Sequence, residues 1–150
     1  MKIQQQLIRH DPAAGQYGDC QRTCVAVILS LDAADVPHFC DNPTAERGSD
    51  QWWAARQDAW LAERGLAYCT VAYDGASASL EDVLGWTSRQ NATTPMILCG
   101  RSALGCNHVV VVLGGKIVCD PSGNGIVGPT TDGLWEISMI TLGPTWRAAA

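Results

Sequence analysis

The residues best placed to do chemistry in this chain are Cys20, His108 and Asp120, in that order. Cys20 lies in Gly18-Asp19-Cys20-Gln21-Arg22-Thr23-Cys24-Val25-Ala26-Val27-Ile28-Leu29, where a loop passes into an apolar segment of helical character. A thiol at a helix start faces free backbone N–H groups and the positive end of the helix dipole. Both favour the thiolate, so this position is expected to lower the pKa of Cys20 and make it the most nucleophilic of the seven cysteines. His108 opens the run Asn107-His108-Val109-Val110-Val111-Val112, and Asp120 closes Lys116-Ile117-Val118-Cys119-Asp120-Pro121. A thiol nucleophile needs a base, and the base needs an orienting acceptor.

The hairpin between the two runs decides whether His108 and Asp120 meet. A two-residue loop of Gly114-Gly115 pairs Leu113 with Lys116 and turns Asp120 to the face opposite His108. A three-residue loop, with Gly115 in the left-handed region, pairs His108 with Asp120 directly. Directly opposed Cβ atoms lie about 4.5–5.5 Å apart, within reach of an imidazole–carboxylate bond. The site therefore calls for a loop of odd length. Cys24, Cys40, Cys69, Cys99 and Cys119 sit in apolar runs and read as small core residues. Cys20, Cys24, His38 and Cys40 form a possible zinc set, but Cys-x3-Cys with His-x-Cys is not a usual ligand pairing, and no metal or other cofactor is implied.

The supporting elements follow from periodicity and punctuation. Lys2 to Ile8 reads as a short edge strand, and Asp11 to Gly18 as a loop. Asp19 is the expected cap of a central helix from Cys20 to about Leu31, and 32–47 reads as irregular around Pro37 and Pro43. A second helix is expected from Asp50 to Arg64, stopping at Gly65, and Ser79 caps a short helix through Trp86. Strands are expected over 67–73, 95–99, 106–113, 116–120 and 134–142. This order gives an α+β fold, a buried N-terminal helix packed on an antiparallel sheet.

At these motifs the chain resembles papain-like cysteine peptidases. The likeness is greatest to the small bacterial peptidase domains that remove double-glycine leaders from bacteriocins, and to small bacterial and phage relatives of that fold. The resemblance rests on Asp19-Cys20 before Thr23 to Leu29, on His108-Val109-Val110-Val111-Val112, and on Asp120-Pro121. It implies a papain-like fold with Cys20 as nucleophile, His108 as general base and acid, and Asp120 as orienter. The family also uses a glutamine shortly before the cysteine to bind the oxyanion. Gln16, four residues before Cys20, is favoured for that role over Gln6.

Composition narrows the alternatives. The chain has 150 residues, 47% of them hydrophobic and 17% charged, which fits one domain over 1–150 and excludes a disordered segment. A net charge of −5 with ten scattered basic residues argues against a nucleic-acid partner. No apolar run nears the roughly 18–20 residues that span a bilayer, and the N-terminus has no signal core. A cytoplasmic protein with reduced thiols is expected. Two functions remain. The first is a thiol hydrolase of peptide or isopeptide bonds, with transferase or deamidase variants. The second is a non-catalytic module of the same fold that holds a peptide or partner in its groove, where Trp52 or Trp53 would be exposed.

Overall fold

A computed structural model describes residues 1–11, 13–41 and 52–143, with Trp52 described by its backbone alone. The core follows from the valine run. Strand β3 (Asn107–Leu113) buries Val109 and Val111 on one face and Val110 and Val112 on the other, so helices must cover both sides. Helix α1 (Cys20–Leu29) covers the first face with Cys24, Val25 and Val27, all fully buried, joined by Leu61 from α2 (Trp52–Ala62). Helix α3 (Leu80–Gln90) covers the second with Val83, packed beside Trp135 and Ile137. The sheet has five antiparallel strands in the order β1-β5-β2-β3-β4, with β1 at Leu66–Asp74, β2 at Met96–Arg101, β4 at Lys116–Cys119 and β5 at Leu134–Leu142. The α+β architecture with a buried N-terminal helix on an antiparallel sheet is thus observed, and α3 adds a second covered face.

Several elements differ from expectation. Residues 1–10 form no strand. The N–H groups of Leu7 and Ile8 donate to the Asp19 carboxylate rather than to a neighbouring strand, and Gln6 N–H donates to the Pro121 carbonyl. Asp19 holds the N-cap position of α1 but its side chain makes no cap bond to the helix; its buried carboxylate takes Arg22 Nε at 2.7 Å instead. It ties the N-terminal strap to the helix start. Helix α1 ends at Leu29 because Ser30 turns to φ +59°. Helix α2 ends at Ala62, while the expected start at Asp50, like Pro43 and Arg47, lies outside the described residues. Helix α3 opens on a capping box in which Ser79 and Asp82 bond reciprocally, and it continues past Trp86 to Gln90. Cys69 is exposed, not core, because β1 is an edge strand.

The hairpin differs most. Its loop is the two residues Gly114 and Gly115, at φ +57° and +79°, with Leu113 paired to Lys116. Both central residues of this tight turn need positive φ, which glycine accepts without strain. An even loop should turn Asp120 away from His108. It does not, because the ladder slips between Val112 and Val111. Val112 pairs with Ile117 and Val111 with Cys119, so Val118 is an extra, bulged residue. The bulge supplies the change of face that an odd loop was expected to supply.

Candidate active site

Cys20 is the first residue of α1, and α1 packs its N-terminal end on β3. The N–H of Val109, the residue after His108, donates toward the Cys20 sulfur, as does the N–H of Gln21. Helix start and strand start therefore meet at the thiol. Cys20 and His108 both line a cleft of about 740 Å³, together with Gln6, Asn107 and Ser122.

His108 is 5% exposed, and its Nε2 lies 2.7 Å from Asp120 Oδ1. The carboxylate can only accept, so Nε2 carries the proton. In the neutral ring Nδ1 is then the bare acceptor, and it makes no hydrogen bond to a described residue. Ser122 Oγ lies 3.0 Å from Nε2 and donates to Asp120 Oδ1 at 3.2 Å.

Asp120 is held by its own turn. The N–H groups of Ser122 and Gly123 donate to Oδ1, and that of Gly125 to Oδ2 at 2.7 Å. Gly123 and Gly125 adopt φ of +73° and +71°, which lets the loop curl its amides around one carboxylate. Partial burial pushes the Asp120 pKa up. The bond from His108, the Gly125 amide, the charge of His108 and the Gly123 amide together outweigh it, and the carboxyl is held below its ordinary value.

Cys20 departs from the expectation of a lowered pKa. Burial pushes its thiol up to about 11. The Val109 and Gln21 amides pull the other way, and the nearby Asp19 carboxylate adds to the rise. The helix start therefore does not win against desolvation, and the resting thiol is neutral. Burial likewise raises Cys24, Cys99 and Cys119, and takes Cys40 to about 12.

The two glutamines separate. Gln6 lines the Cys20 cleft, carried there by the strap that Asp19 and Pro121 hold. Gln16 is exposed, donates its side-chain amide to the Arg9 carbonyl at 2.8 Å, and lines a different, shallow hollow. Trp53 lines the cleft, half-buried. Within the zinc set, His38 and Cys24 have other partners. His38 Nε2 contacts the Tyr17 carbonyl, its Nδ1 accepts from Cys40 N–H, and Cys24 is buried against the Val109 carbonyl. Among the described residues no His, Cys, Asp and Glu side chains group as metal ligands, and no helix is long and apolar enough to cross a membrane. Ser122 was not singled out from sequence. The signal was there, since Asp-Pro-Ser-Gly-Asn-Gly is the composition of a carboxylate-centred turn.

Comparison with protein-family models, with curated proteins and with solved structures finds no match to this chain.

Proposed function

We propose that the protein is a papain-like thiol hydrolase that cleaves a peptide or isopeptide bond through a Cys20 acyl-enzyme. The observation that carries this reading is the 2.7 Å bond from His108 Nε2 to Asp120, in the cleft that Cys20 also lines. It assigns the free lone pair of the ring to Nδ1, which suits a general base.

The neutral thiol would lose its proton to His108 Nδ1 as sulfur attacks the substrate carbonyl. The developing oxyanion would take the Cys20 N–H at the start of α1 and the side-chain amide of Gln6. Asp120, kept ionised by its turn, would stabilise the imidazolium. His108 would then return the proton to the leaving amine. Water, deprotonated by the same ring, would release the acid from the thioester and restore the thiol. Gln16 has no part in this scheme.

A second reading rests on the Cys20 thiol itself. A pKa of about 11 leaves it almost wholly protonated at neutral pH, as suits a groove that binds without reacting. Alkylation by a peptidyl chloromethyl ketone, read by intact mass and peptide mapping, separates the two. A hydrolase reacts at Cys20 near pH 7. Its His108→Ala variant reacts only as pH climbs toward 11, about tenfold faster per unit as the thiolate fraction rises. Equal, slow labelling of both proteins near pH 7 sinks the hydrolase. Exposed Cys69 is replaced by Ser beforehand to remove background.

A further inference from the structure

The cleft has a second chamber, of about 300 Å³, that shares Cys20, Trp53 and His108 with the first. Its own walls include Tyr68, Thr70, Asp132, Glu136 and Ser138. The sheet register locates it. Glu136 on β5 pairs with Cys99 on β2, and Cys99 pairs with Val109 on β3. Directly paired residues share a face, so Glu136 and Val109 project to the same side, two strands or about 10 Å apart. Val109 is the residue whose N–H meets the Cys20 sulfur.

The polar groups of this chamber are unequally satisfied. Thr70 and Ser138 hydroxyls bond each other at 2.9 Å, and Tyr68 accepts the Gln21 amide at 3.0 Å. Half-buried Glu136 accepts the Cys99 thiol, and neither it nor exposed Asp132 forms an ion pair with a described residue. Among the described residues no lysine or arginine lines this chamber; Arg9 lines only the first. The only bond to the Glu136 carboxylate from the described chamber wall is thus from a neutral thiol, and an incoming cation would supply the counter-charge it lacks. Trp53 offers an aromatic wall for a cation or its aliphatic stem.

We propose that this chamber is the side-chain pocket of the cleft, and that it selects a substrate with a lysine or arginine next to the bond that Cys20 attacks. The four-carbon stem of a lysine reaches from a carbonyl over Cys20 toward Glu136. This rests on the hydrolase reading above, and the test keeps the two apart.

The full chain is treated with glycyl-X and X-glycyl chloromethyl ketones in which X is lysine, norleucine or glutamate, and modification of Cys20 is timed by mass spectrometry. In one of the two orders the lysyl reagent reacts about tenfold faster than the norleucyl one, and the glutamyl reagent is slowest. Glu136→Gln with Asp132→Asn brings the lysyl and norleucyl rates within about twofold, and Glu136→Lys favours the glutamyl reagent. Equal lysyl and norleucyl rates in the unaltered chain, or a lysyl preference that survives loss of both carboxylates, overturn the pocket while leaving the hydrolase standing. If no reagent modifies Cys20, the hydrolase falls. The pocket is then decided by NMR titration of the Cys20→Ala chain with N-acetyl-lysine methylamide against its norleucine counterpart. Tighter lysine binding that the carboxylate substitutions remove upholds it, and equal binding overturns it.

Discussion

Asp120 is the residue on which the candidate site turns, because five donors converge on one small carboxylate. An asparagine there keeps a carbonyl for His108 but sets an N–H₂ group against a backbone N–H of the turn. Asp120→Asn is therefore expected to slow Cys20 alkylation by a peptidyl chloromethyl ketone by on the order of 10²–10⁴-fold. It should also lose stability in a pH-dependent way. The carboxyl is held below its ordinary value in the folded chain. Its contribution is fully present above the unfolded pKa of about 3.9 and is lost as pH falls through the folded value. Urea unfolding at pH 6 should show the unaltered chain more stable than Asp120→Asn, and the gap should close as the solution is acidified below about pH 4.

At the scale of elements, the hairpin carries the site through its bulge. Removing Val118 leaves Leu113 opposite Lys116 and Val111 opposite Cys119, now in a regular ladder, so Asp120 keeps its face. The chain lacking Val118 should retain Cys20 labelling within about tenfold of normal. Removing Ile117 and Val118 together pairs Cys119 with Val112, moves the buried Cys119 to the wrong face and turns Asp120 from His108. Labelling at pH 7 should then fall to the His108→Ala level, with a lowered melting temperature by circular dichroism. A shared loss in both deletions would show that the bulge does more than set the face.

For the molecule as a whole, the candidate site depends on α1 being pressed onto β3. Leu61 from α2 is fully buried in the cluster that joins α1 to the sheet. Leu61→Ala should cost about 2–5 kcal/mol of folding stability in urea titration, more than a surface change, because the surrounding side chains only partly fill the gap. Where the variant remains folded, Cys20 labelling should slow as the helix start loosens from Val109.

Much of this was legible in the chain itself. Local patterns place the elements: the valine run, the Ser79 capping box and the bounds of β5 need only near neighbours in sequence to specify them. The types and order of Cys20, His108 and Asp120 are also local facts. Three features were decided only by tertiary structure. The bulge at Val118 reflects which side chains the core accepts, a choice made across strands and invisible in a turn of two glycines. Asp19 has the composition of a helix cap, yet the incoming strap of Leu7 and Ile8 outcompetes the helix for its carboxylate and so carries Gln6 rather than Gln16 to the cleft. The Cys20 thiol sits where a helix dipole should lower its pKa, but burial raises it to about 11. Desolvation depends on everything packed around an atom, and one chain position read alone does not record it.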